Sequence, residues 1–192
     1  MHPRLFKLSP EWDDKGDYPY HYIDDSKGLF KIERFHSTIS LLPSWKKPVL
    51  RVYQSGDEAD IYFCTAGYFF FTARAREAFA GAFGENAEWL PATVDGIGEL
   101  YILHPLRSLP LGCDAVVERN EISRNVVEIY RYRFDLSASP IPPIFFVEQP
   151  ADSAAGRAGF TFHTIHMTEE SIRRISSFDI CGARGEEISD KK

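Results

Sequence analysis

DIYFCTAGYFFFTARAREAFAGAFG, residues 60–84, carries two different patterns on either side of one threonine. Before it, an apolar run breaks at Ala66-Gly67 and resumes as four consecutive aromatics, Tyr68 to Phe71. That is too short and too aromatic for a helix of its own, and it reads as a buried strand. After it, Ala75, Ala78, Phe79, Ala82 and Phe83 recur at spacings of three and four, which places them on one apolar stripe of a helix. Thr72 stands where an N-cap hydroxyl is needed and Gly84 where a left-handed C-cap is wanted. The stretch predicts a strand feeding a capped helix.

The same grammar returns near the C-terminus. In FTFHTIHMTEESIRRISSFDICG, residues 160–182, period-two apolar positions (Phe160, Phe162, then Ile165 and Met167) give way to Thr168 as a second N-cap. Glu169 and Glu170 fall in the first turn and Arg173 and Arg174 toward the other end, as the helix dipole favours. Ile172 and Ile175 form the inward stripe. With the two threonines in register, the segments make a two-copy pseudo-repeat.

Between these units, Glu88–Val94 and Glu99–His104 flank Asp95-Gly96-Ile97-Gly98 and read as a hairpin. Strands are also expected at 5–8, stopped by Ser9-Pro10, and at 28–35, 49–53, 114–118, 126–136 and 144–147. Three prolines make 137–143 a loop, and the small-residue stretch 151–159 reads as mobile. The expected fold class is α+β: one domain, mainly antiparallel sheet, with two or more capped helices packed on it. Residues 1–59 supply N-terminal strands and an acidic loop of that domain. Residues 60–182 form its core, and 183–192 are expected as a flexible tail with little to bury.

With 192 residues, 15 Phe and 9 Tyr, the chain has enough apolar volume for one substantial core. No apolar run reaches the roughly 20 residues that span a bilayer, and the N-terminus lacks the apolar segment of a signal peptide, so a soluble, cytoplasmic protein is expected. Cys64, Cys113 and Cys181 are odd in number and far apart, which favours reduced thiols over a disulfide framework.

The net charge of −6 is unevenly placed. Residues 11–25, EWDDKGDYPYHYIDD, hold Glu11, Asp13, Asp14, Asp17, Asp24 and Asp25 against Lys15, six acids less one base, for −5. Such a field repels nucleic acid and steers basic proteins inward. Trp12, Tyr18, Tyr20 and Tyr22 are interleaved with these carboxylates, and aromatics flanked by charge are what protein interfaces use as anchors and steering groups. Trp12, Asp13, Asp14, Asp17, Tyr18, Tyr20, Tyr22, Asp24 and Asp25 are therefore the candidate partner-binding residues. The other reading is that the tyrosines pack down on the sheet and the aspartates only solvate the loop.

Catalytic signals are sparse. There is no GxSxG elbow, no phosphate-cradling glycine motif and no calcium loop around Asp13/Asp14 or Asp24/Asp25. His163 and His166 form an HxxH pair with Cys181 beyond, but on a strand two residues three apart point to opposite faces, so no metal site is expected. Arg74 with Arg76, and Arg173 with Arg174, sit on outer helix faces and are too few for a nucleic-acid patch. A small hydrolase or ligand-binding domain using His104, His163 or His166 near Cys113 or Cys181 is the alternative reading.

The order of segments from Asp60 to Ile188 resembles the bacterial polymorphic-toxin immunity proteins of the type first described in myxobacteria (family eleven, formerly a domain of unknown function). The resemblance is carried by Asp60-Ile61, the capped helix from Phe70 to Phe83, and the hairpin from Trp89-Leu90-Pro91 to His104. It continues through Cys113-Asp114, Pro142-Pro143-Ile144-Phe145 and the closing helix before Ile180-Cys181-Gly182. Two departures stand out: Ala183-Arg184-Gly185 occupies the place where a strand usually continues, and the first 59 residues match nothing in the pattern. The resemblance implies a non-enzymatic protein without cofactor that binds a cognate toxin, possessing a basic surface, and blocks its active site.

Overall fold

The computed structural model describes residues 4–24, 37–64, 67–112, 114–119, 126–134, 140–148 and 164–188. Thirteen strands among them are β1 (Leu5–Pro10), β2 (Tyr22–Asp24), β3 (Val49–Gln54), β4 (Ile61–Cys64), β5 (Phe69–Phe71), β6 (Ala87–Asp95), β7 (Gly98–Pro105), β8 (Ser108–Pro110), β9 (Val116–Arg119), β10 (Val126–Arg131), β11 (Ile144–Glu148), β12 (His166–Thr168) and β13 (Ala183–Glu187). Two α-helices, α1 (Ala73–Phe83) and α2 (Glu169–Ile175), follow β5 and β12. The expected strand at 28–35, the loop at 151–159 and residues 160–163 lie outside the described residues.

The α+β class holds, but the sheet is not simply open and antiparallel. Six strands close into a barrel in the order β2-β3-β6-β7-β5-β4. Two parallel pairs complete it: β2 with β4, and β3 with β6. The quoted stretch explains how. Along β4 and β5, Tyr62, Cys64 and Phe70 point into the barrel, where they meet Ile23, Leu90 and Ile102. The alternate residues Ile61, Phe69 and Phe71 point outward against Phe79 and Phe83 of α1. A strand buried on both faces can be aromatic at every position, and Phe70 and Phe71 are fully buried. Each such ring contributes about 1.5–3 kcal/mol through the water it sheds.

Both threonine caps form. Thr72 Oγ1 accepts the Ala75 N–H at 3.2 Å, and Thr168 Oγ1 accepts the Ser171 N–H at 3.4 Å. Gly84 ends α1 with φ of +52°. The two helices lie in the same apolar layer, between the barrel and a five-stranded sheet ordered β13-β1-β12-β11-β8. The opposite face of that sheet packs Leu5, Phe145 and Val147 against Ile129 of the β9-β10 ribbon.

Two sequence expectations are corrected at this sheet. Ser9-Pro10 does not stop β1, because Pro10 pairs with Ala183 at a position where its missing N–H is not called on. Residues 183–187 are not a fraying tail but strand β13. Polar as it is, β13 is held by the β1 ladder and by ion pairs from Lys7 to Glu186 at 3.1 Å and from Arg4 to Glu187 at 2.5 Å. The described residues among the first 59 supply β1 to the sheet and β2 and β3 to the barrel, so they contribute to both layers. Among the described residues no helix is long and apolar enough to cross a membrane.

Candidate interaction surface on the acidic loop

Residues 11–21 connect β1 to β2 as an irregular loop, and its geometry divides the candidate residues into mooring groups and presented groups. Asp13 moors. Its Oδ1 accepts the backbone N–H of Lys15 at 2.9 Å and of Asp17 at 2.8 Å, closing a tight turn with Gly16 at φ +80°. Tyr18 also moors: it is buried, and its hydroxyl donates to the Ile61 carbonyl at 3.1 Å with the Gly182 carbonyl 3.4 Å away. Burial pushes its phenol pKa well above the ordinary value. Tyr20 donates to Glu11 Oε2 at 3.2 Å, and the same oxygen accepts the Gly182 N–H at 3.0 Å. Burial, reinforced by the Glu11 charge, pushes Tyr20 up to about 12.

Asp24 is likewise taken out of the presented set. It is buried, and its Oδ2 accepts from Arg51 Nε at 2.9 Å. Asp25 lies outside the described residues.

Two exposed rings, Trp12 and Tyr53, are joined into a continuous row by two half-buried ones, Phe63 and Tyr22. Trp12, 44% exposed, meets Phe63 edge-on at 6.5 Å; Phe63 meets Tyr22 at 5.8 Å; Tyr22 meets Tyr53 at 6.2 Å, and Tyr53 is 67% exposed. Beside this row stand Asp14 and Asp17, exposed and without an ion-pair partner among the described residues. Sequence reading missed Tyr53 and Phe63. They are brought to the loop by the pairing of β2 with both β3 and β4, which no local signal announces.

The junction under the loop is tightly specified. Asp60 Oδ2 accepts from Arg74 at 2.6 Å and from the Cys181 N–H at 3.3 Å, while Arg74 also donates to the Asp179 carbonyl. Arg74 is thus a tie between helix and C-terminal segment and not a free outer-face charge. Arg76 stacks on Tyr101 at 4.4 Å. Gly182 has φ of +101°, and a Cβ there would lie 1.9 Å from the Ile61 carbonyl oxygen. Only glycine fits.

The groups proposed for the hydrolase reading have separate surroundings. His104 is buried on β7, with Nδ1 2.8 Å from Glu88 Oε1 and Nε2 2.8 Å from the Ser37 carbonyl. Glu88 further accepts from Ser40 Oγ at 2.5 Å and Leu41 N–H at 2.6 Å, so the pair clamps the segment before the short 3₁₀ helix Leu42–Ser44 to the barrel. Two acceptors at the ring are fully satisfied only by imidazolium; burial opposes that charge and lowers the His104 pKa, against the pull of Glu88. Burial raises the Glu88 pKa, but the hydrogen bonds from Ser40, Leu41 and His104 outweigh it and leave it low.

His166 lies in the other layer. It stacks on Phe145 at 5.7 Å, its Nδ1 is 3.0 Å from the Thr164 carbonyl, and its buried Nε2 has no hydrogen-bond partner among the described residues. Burial takes its pKa down to about 3. Burial pushes the Cys181 thiol up, with the backbone N–H of Asp60 opposing the rise and its carboxylate reinforcing it, which disfavours the nucleophilic thiolate. His163 and Cys113 lie outside the described residues.

Hollows reflect the same separation. One of about 540 Å³ lies beside β13, lined by Leu8, Ile172, Ile175 and Phe178. Another of about 380 Å³ holds His21, Glu58, Asp60 and Arg74, and a third of about 10 Å³ borders His104. None of the three is lined by two of His104, His166 and Cys181. No protein-family model matches the chain, and no curated protein matches it.

Proposed function

We propose that this protein binds a cognate toxin and neutralises it by covering the toxin's active site or substrate groove, performing no reaction of its own. The observation that carries the reading is the row Trp12–Phe63–Tyr22–Tyr53 beside the uncompensated carboxylates of Asp14 and Asp17. Rigid aromatic side chains lose little conformational freedom on docking and anchor interfaces, while unpaired charge speeds encounter with an oppositely charged partner. The complementary partner has a basic surface with room for flat rings. Mooring of the loop by Tyr18, Asp13 and Glu11 supports the reading, because a surface ordered in advance pays less on binding. The resemblance of its segment order to that of toxin immunity proteins is consistent with this reading.

The test is protection. The chain is co-expressed with a candidate toxin domain, sought first in a neighbouring gene, and growth is followed. The reading predicts rescue by the wild type and loss of rescue with Trp12→Ala/Tyr53→Ala. Growth arrest despite well-expressed wild-type protein would remove this toxin as the partner.

A further inference from the structure

Strand β13 is an end strand: β1 pairs with one of its edges, and among the described residues nothing pairs with the other. Ladder geometry fixes which backbone groups face outward. The Ile188 N–H donates to the Leu5 carbonyl at 2.8 Å and the Glu11 N–H to the Gly182 carbonyl at 3.3 Å. Even-numbered residues along the strand therefore turn their backbone to β1, and Ala183, Gly185 and Glu187 turn theirs to the free edge. Residues 184–187 are exposed. Neither proline nor lysine guards this edge, and such an edge is a template for another strand.

The free edge is complementary to itself. When two copies run antiparallel about an axis through Gly185, Ala183 faces the partner's Glu187 and Gly185 faces its own counterpart. These are the residues whose N–H and C=O point outward in both copies, so the backbone bonds can form. The side chains between them then bring Arg184 opposite the partner's Glu186, twice, at the closely spaced positions where cross-strand pairs interact best. The two neighbouring registers fail: an axis at Arg184 sets that cation against itself, and an axis at Glu186 does the same with the anion. Arg184 has no ion-pair partner within the chain among the described residues, whereas Glu186 already leans on Lys7. At the axis Gly185 presents no side chain, since a Cβ would lie 2.6 Å from Ile172 Cδ1 of α2.

We infer that the chain associates as a two-fold dimer through β13, joining two five-stranded sheets into one of ten strands. The inference is independent of toxin binding.

Sedimentation velocity over a range of concentrations tests it by charge exchange. The wild type dimerises, less so in high salt. Arg184→Glu alone places acids against acids and Glu186→Arg alone places bases against bases, so each raises the dimer dissociation constant about tenfold or more. Mixing the two variants restores opposite charges at both positions and yields the heterodimer. Circular dichroism establishes that each variant is folded, and amide exchange at Ala183, Gly185 and Glu187 slows only in the dimeric samples. A monomeric wild type, unaltered dimerisation in either variant, or a mixture that stays monomeric overturns the inference. So does slowing of those amides only when a foreign protein is added, which would make that protein's strand the occupant.

Discussion

The Tyr18 hydroxyl donates to the carbonyl of Ile61 at 3.1 Å, joining a loop residue to the first residue of a barrel strand 43 positions away. That oxygen is the one a Cβ on Gly182 would strike, so loop, barrel and C-terminal sheet meet at a single carbonyl.

Tyr18→Phe keeps the ring's contacts with Trp12, Tyr20 and Phe63 and deletes only the donor. It is expected to cost about 1–2 kcal/mol, the typical effect of leaving a buried acceptor unpaired. Urea unfolding checks this. An unchanged midpoint would mean that the loop is not held by this bond.

Gly182→Ala is expected to cost more, about 3 kcal/mol or above, because positive φ and a clash with backbone act together. Thermal unfolding provides the measurement. The control Gly16→Ala has positive φ but open space around its Cβ site, and should cost about 1 kcal/mol.

Much of this core was legible in the sequence. The Thr72 and Thr168 caps, the α1 stripe and the β6-β7 hairpin are local patterns, and local patterns survive into the fold. Barrel closure was not legible, because it depends on parallel pairing between β3 and β6 and between β2 and β4, each separated by tens of residues with no periodic signature. The candidate surface was half legible. Alternating aspartates and aromatics marked the loop, but composition cannot distinguish Tyr18, which is buried, from Trp12, which is exposed. Strand β13 was missed because ARGEE has no apolar alternation; its order comes from the partner strand and from Arg4 and Lys7.

Stability is expected to fall in acid with a contribution from His166. Its folded pKa, about 3, lies below the unfolded value of 6.5. Between these limits the unfolded chain binds a proton that the folded chain does not, so stability is full above about pH 6.5 and declines toward pH 3 by up to about 1.4 kcal/mol per unit. His104 contributes with the same sign. His166→Phe, which retains a ring against Phe145, should flatten the slope measured by urea unfolding between pH 4 and 7. An identical slope would show that His166 accepts its proton without unfolding.

At the acidic rim, stability and the proposed recognition are carried by different carboxylates. Asp14→Lys/Asp17→Lys should leave the unfolding midpoint within about 0.5 kcal/mol of wild type, since both side chains are exposed. Asp13→Ala should lower it by about 1 kcal/mol or more by opening the turn that Asp13 Oδ1 closes. Parallel urea titrations distinguish the two outcomes; equal losses would mean that Asp13 does not organise the loop.

The most direct measurement is the association rate of the purified chain with the toxin proposed as its partner, at low and at high salt. Steering by Asp14 and Asp17 predicts that Asp14→Lys/Asp17→Lys slows association about tenfold at low salt and that the difference shrinks as salt rises. Equal rates for wild type and variant, with protection of the cell intact, would contradict the account.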